Sequence, residues 1–229
     1  MSQFLGIEIG GTKLQIGVGS AEGTLTRIWR DTVNVEEGGE GIRRRLIEVV
    51  PTLLNDSIQA IGIGYGGPVD DATGRTITSH QISGWDDFPL VEWSQEHFRR
   101  PTVIGNDADV AGLGEARFGA GRGFSPLFYI TIGSGIGGAL ILDGKIYRGV
   151  GRGAAEIGHL RMKQESEPTI LEHLASGWAI GRAAKMNAHV VAESARQGDP
   201  EAFKVLDQAW THLAEGICDV IALLCPRRI

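Results

Sequence analysis

The stretch Phe128–Gly144 most narrows what this chain can become. An apolar run, a glycine-rich bend from Gly133 to Gly138, a second apolar run and an Asp143-Gly144 turn follow one another. Gly133, Gly135 and Gly138 satisfy G-x-G-x-x-G, but a dinucleotide site needs strand, glycines, then helix. Here Ile130, Thr131 and Ile132 precede the bend and Leu140, Ile141 and Leu142 follow it, so the pattern predicts a β-hairpin. Without Cβ atoms, such a bend can lay bare N–H groups against a phosphate. A tight turn with no ligand has the same composition, so the bend alone does not decide the matter.

The start of the chain repeats the pattern. Phe4–Gly19 reads as strand, a glycine bend at Gly10 and Gly11, then strand. Thr12 and Lys13 place a hydroxyl and an ammonium at the bend, within reach of phosphate oxygens. Two glycine hairpins, one opening each half, predict two related lobes facing a shared nucleotide. Neither is a Walker loop, because G-x-x-x-x-G-K-[ST] does not occur.

The 229 residues suffice for one large domain or two small ones, and 42% hydrophobic with 22% charged residues is ordinary for a globular protein. A net charge of −6 without a basic stripe argues against nucleic acid as a partner. Arg43, Arg44 and Arg45 read as a solvated helix face. No charged leader and no apolar run of about 18 residues is present, which predicts a cytoplasmic protein that does not engage the membrane. Cys218 and Cys225 stand seven apart on a predicted helix, roughly 10 Å, too far for a disulfide, and read as core or interface thiols.

Along the chain, Leu25 to Val35 reads as a strand, Gly38, Gly39 and Gly41 as a loop, and Ile42 to Leu53 as a helix interrupted by Pro51. Ile58 to Gly64 is a buried strand emptying into the rigid turn Gly66–Asp70, at a carboxyl end where α/β proteins place ligands. Trp85 is a candidate ligand wall, and Leu90 to Phe98 a helix. Pro101 to Ile104 reads as a strand and Val110 to Phe118 as a helix. Asp107 thus falls where a strand meets a helix. Capping explains one of Asn106, Asp107 and Asp109 but not all three. The helix dipole should keep a carboxylate there ionised, able to take a proton from a hydroxyl.

Glu156 and His159 are separated by Gly158, which favours a turn over a helix. Alone, a Glu-x-x-His pair is more often a surface pair than a metal site, and no CxxC or HExxH accompanies it. Pro168 to Ala184 reads as one helix, with Glu172 in its first turn. Asp199-Pro200 starts a long helix whose stripe Phe203, Leu206, Trp210, Leu213, Ile217, Val220, Ile221 and Leu224 reads as core.

In order and spacing these motifs resemble the ROK family of repressors, uncharacterised reading frames and sugar kinases, glucokinase-like and N-acetylhexosamine-kinase-like members included. The likeness runs from Gly10–Lys13 through Gly67–Asp70, Gly84-Trp85, Asn106–Ala108, Thr131–Gly138 and Asp143–Lys145 to Glu156–His159 and Glu172. It implies an α/β chain with the actin-like ATPase (ribonuclease H-like) fold, an N-terminal lobe over 1–104 and a C-terminal lobe over 105–229. It also implies transfer of the γ-phosphate of ATP to a hexose or N-acetylhexosamine, with Asp107 as base. Asn106, Glu156, His159, Glu172 and Gly67 would contact the sugar. Gly10, Gly11, Thr12, Lys13, Gly133, Ser134 and Gly135 would hold the phosphates of ATP with Mg²⁺, and a homodimer is expected.

Four departures stand out. Glu8 replaces the family's Asp, and Gly67 its Pro. Leu160 to Ile170 holds no Cys, so no zinc is expected. The family continues past this point with a strand, an adenosine-binding turn and closing helices, so the second lobe is expected to be incomplete; if nothing supplies those parts, ATP loses its adenosine pocket, which counts against activity of this polypeptide. A non-catalytic, sugar-sensing regulator and an inactive fragment are the competing readings. The regulator reading is disfavoured because the first phosphate strand begins at Phe4, leaving no room for a DNA-binding module.

Overall fold

The structure, a computed structural model, describes residues 2–79, 82–150, 153–163 and 168–229. It divides into two compact units, Met1–Ala111 and Gly112–Ile229.

The first unit is built on β1 (Gln3–Ile9), β2 (Lys13–Ser20) and β3 (Leu25–Thr32), an antiparallel meander. Period-two alternation sends Leu5, Ile7, Ile9, Leu14, Ile16 and Val18 into the core. A 3₁₀ turn, Val35–Glu37, leads to α1 (Gly38–Leu53), β4 (Ile58–Tyr65) and the short hairpin of β5 (Val69–Asp70) and β6 (Arg75–Thr76). Then come α2 (Leu90–Phe98), β7 (Thr102–Asn106) and α3 (Asp107–Phe118), whose chain passes from the first unit to the second after Ala111. The sheet order is β3-β2-β1-β4-β7, with β1, β4 and β7 parallel.

Two expectations fail here for one reason. Gly38, Gly39 and Gly41 form no loop; they are the first turn of α1. A Cβ on Gly39 would stand 2.9 Å from both Gly84 O and the Trp85 ring, so the glycines let the helix start abut the Ser83–Trp85 loop. Trp85 is correspondingly 1% exposed, packed edge-on against Tyr65 and Phe88, and is core rather than a ligand wall. Arg43 also leaves the solvated face assigned to it: its guanidinium lies 4.3 Å from the Phe88 ring centroid and donates to Gly84 O. Pro51 is accommodated in the last turn of α1.

In the second unit, β8 (Leu127–Ile132), β9 (Ile136–Leu142) and β10 (Lys145–Ile146) form an antiparallel sheet ordered β10-β9-β8. Asp143 and Gly144, both at positive φ, make the tight turn between the last two. A 3₁₀ turn (Ile157–His159) precedes β11 (Arg161–Met162) and β12 (Thr169–Ile170), which pair. The expected single helix over 168–184 is instead β12, α4 (Glu172–Ala175) and α5 (Gly177–Ala184). They break at Ser176, extended, whose hydroxyl caps Ala179 N–H. α6 (Ala188–Arg196) and α7 (Pro200–Leu224) complete the unit, and Asp199 caps α7 as its Asp-Pro start predicts.

The stripe on α7 is only partly core. Leu206 and Val220 are buried, whereas Phe203, Trp210, Ile221 and Leu224 are exposed. The helix packs instead through small residues: Ala202, Ala209 and Gly216 are buried, and a Cβ on Gly216 would stand 2.7 Å from Leu171. Cys218 and Cys225 are free, as expected, but both are exposed rather than core. Past α7, Phe128 N–H donates to Arg228 O and Arg227 N–H to Pro126 O, a parallel bridge to the start of β8. Among the described residues no helix is long and apolar enough to cross a membrane.

Gly39→Val tests the α1 contact. Forcing the helix start off Gly84 and Trp85 should cost about 1–3 kcal/mol, read as a lower urea midpoint.

Candidate active site

The carboxyl ends of β1, β4 and β7 are level, because Ile9 pairs with Tyr65 and Tyr65 with Asn106. Three loops therefore leave the sheet side by side. Gly66 N–H donates to Ile9 O at 2.8 Å. A Cβ on Gly66 would stand 3.4 Å from Gly10 Cα and 3.3 Å from Asp107 Oδ2. Without a Cβ, Gly66 spares both neighbours a crowded contact.

Asn106, not Asp107, caps α3. Its Oδ1 accepts from Ala108 N–H at 2.9 Å and from Asp109 N–H at 3.2 Å. Its amide donates to Gly67 O at 3.2 Å, tying the Gly67 loop to the helix start. Asp107 Oδ1 accepts from Ala108 N–H at 2.8 Å. Burial pushes the Asp107 carboxyl above its usual range. The Ala108 hydrogen bond opposes that shift, and the nearby charge of Glu8 adds to it. Desolvation thus outweighs the local N–H groups in setting the direction of this shift.

Glu8 faces outward from β1. It accepts from Gln15 Nε2 at 2.7 Å, and Gln15 Oε1 accepts from Arg30 Nε at 2.6 Å, a polar chain across three strands. The departure at Gly67 also has a local cause. A Cβ there would stand 2.8 Å from the Tyr65 ring and 3.0 Å from Thr78 O. The buried Tyr65 hydroxyl, its pKa pushed up to about 12 by desolvation, donates to that same Thr78 O. In the first hairpin, Gly10 N–H closes the turn onto Lys13 O at 3.0 Å. Among the described residues, Gly11 and Thr12 N–H donate to nothing, and the Thr12 and Lys13 side chains are exposed. That donor set suits a phosphate.

In the second unit the bend is shorter than the sequence suggests: Gly133-Ser134-Gly135, closed by Gly133 N–H to Gly135 O at 2.9 Å. Gly137 and Gly138 belong to β9. A Cβ on Gly138 would overlap Ala155 O, and one on Gly158 would overlap Ile136 O. These glycines let the 3₁₀ turn carrying Glu156 and His159 lie directly on β9. His159 N–H bonds to Glu156 O at 3.0 Å, so the pair sits in a turn as predicted, with His159 exposed. Glu172 Oε2 accepts from Ile136 N–H at 2.7 Å, a contact that nothing in the sequence announces.

A model described as the ROK family matches residues 4–229. The chain belongs to the ROK family. The glucokinase of Halalkalibacterium halodurans is 29% identical over 99% of this chain and 78% of its own length. A ROK family glucokinase from Streptomyces griseus, solved in complex with glucose and AMPPNP, superposes with a TM-score of 0.87 at 30% identity. That match covers 98% of this chain and 81% of the other. The family's regulators are similar too: the xylose repressor of Caldicellulosiruptor bescii is 27% identical over 69% of this chain and 41% of its own length. The fold is accordingly that of the actin-like ATPase class, as the sequence implied.

Asp107→Asn makes the cost of the buried acid measurable. Because the folded-state carboxyl binds its proton more tightly than the unfolded chain does, its stabilising contribution is complete below the ordinary value of 3.8 and lost as pH rises through the raised folded value. The amide variant keeps the Ala108 acceptor without the charge. Its melting temperature should exceed that of the unsubstituted protein at pH 7, the gap closing as pH falls below about 4.

Proposed function

We propose that this chain is an ATP-dependent sugar kinase that transfers the γ-phosphate to a hexose hydroxyl, with Asp107 as general base. The observation that carries this reading is the division of labour at the start of α3. Asn106 satisfies the helix, so Asp107 presents Oδ2 beside the bare backbone of Gly66. Its raised affinity for a proton suits it to draw one from an attacking hydroxyl.

Phosphoryl transfer asks the protein mainly to position groups and offset charge. Gly10, Gly11, Thr12 and Lys13, with Gly133, Ser134 and Gly135, would hold the phosphates through outward N–H groups, the Thr12 hydroxyl and the Lys13 ammonium. Asn106, Glu156, His159, Glu172 and Gly67 would contact the sugar. Glu8, exposed and with one oxygen bonded to Gln15, is a hard oxygen donor that fits Mg²⁺. The ion would neutralise phosphate charge. The Streptomyces griseus glucokinase complex with glucose and AMPPNP supports ATP and a hexose as the substrate pair. Such an ATP-consuming step belongs in the cytoplasm.

The second reading, a sugar-binding regulator, is favoured by the likeness to a xylose repressor and weakened by the poised Asp107. ATP-dependent phosphorylation across glucose, fructose, mannose and N-acetylated hexosamines separates the two. The unsubstituted chain should phosphorylate at least one. Asp107→Asn should lose about 10²–10⁴-fold in kcat while still binding sugar. Sugar binding with no phosphorylation at all would select the regulator.

A further inference from the structure

We infer that Glu172 is a positioning residue for the phosphate-binding hairpin: the α4–α5 junction holds the Gly133–Gly135 turn with its amides facing outward. The inference rests on the kinase reading for what the amides bind, and on geometry alone for how they are held.

A trans peptide places its C=O and N–H on opposite sides of the chain, so fixing one aims the other. Gly133 O accepts from Gly177 N–H at 2.8 Å, which turns Ser134 N–H away from α5. Ser134 O accepts from Trp178 N–H at 3.2 Å, which does the same to Gly135 N–H. Gly135 O is taken by Gly133 N–H at 2.9 Å, leaving Ile136 N–H on the opposite side, where Glu172 Oε2 receives it at 2.7 Å. Every carbonyl of the turn is thus satisfied by protein. Ile136 N–H is the amide held inward, and among the described residues those of Ser134 and Gly135 are the two left for a ligand.

The spacing has no slack. A Cβ on Gly135 would overlap the Glu172 carboxylate, and one on Gly177 would stand 2.6 Å from Gly133 O. Gly177 is needed for the junction to press against the turn, and Gly135 leaves room for the Glu172 carboxylate end. Glu172 uses Oε2 for this, so a single carboxylate can hold the hairpin and still offer Oε1 to the sugar that the family resemblance assigns to it. It ties placement of the acceptor to placement of the phosphates.

The test reads nucleotide binding without sugar, using a fluorescent non-hydrolysable ATP analogue, beside amide hydrogen exchange. In the unsubstituted chain, Ile136 N–H should exchange about tenfold or more slowly than Ser134 and Gly135 N–H. Glu172→Ala should weaken the analogue about tenfold or more, whereas Glu172→Gln, which keeps an acceptor, should stay within about threefold. Gly177→Ala, which leaves Glu172 in place, should weaken it as Glu172→Ala does. If the unsubstituted chain binds the analogue and Glu172→Ala, folded by circular dichroism, binds it equally, the positioning role is overturned. So it is if Ile136 exchanges as fast as its neighbours, the measurement that decides should Glu172→Ala not fold. No analogue binding by the unsubstituted chain, with Ile136 protected, would instead overturn the kinase reading and, with it, this role.

Discussion

Everything at the candidate base depends on three parallel strands ending at the same height. The register of β1, β4 and β7 brings Ile9, Tyr65 and Asn106 level, and hydrogen bonding between neighbouring strands fixes it along their length. A one-residue slip in β7 would turn Ile104 out of the core and carry the start of α3 away from Gly66. The catalytic assignment therefore leans on core packing well below it.

The second unit solves a related problem differently. There a hairpin turn is held by the helices behind it. Peptide geometry converts three captured groups into two presented ones, so preorganisation comes from the far side of the turn. In both units glycines ease a close approach: Gly66 beside Asp107, and Gly177 against Gly133 O.

Much of this was legible in the residues. The two hairpins, the buried strand before Gly66, the strand-to-helix step at Asp107 and the cap of α7 follow from alternation, glycine placement and Asp-Pro. What sequence missed were tertiary requirements. Gly38 and Gly39 look like loop residues until the Gly84–Trp85 backbone is seen against them. Ser176 splits an apparently continuous helix because its hydroxyl caps a new one. Phe203 and Trp210 fall on a stripe with Leu206, yet α7 turns its small residues inward. The direction of the Asp107 shift is not legible in sequence, because the helix dipole is visible there and desolvation is not. Glu172 could be found as a conspicuous acid but not as a partner of Ile136, 36 positions away.

The two exposed cysteines have a practical consequence. Both lie in the second unit, on and just after α7, and the first unit has none. A maleimide dye added to the native protein would mark that half alone, leaving the strand edge that carries Asp107 chemically silent. The molecule comes with a built-in reporter for one of its two bodies.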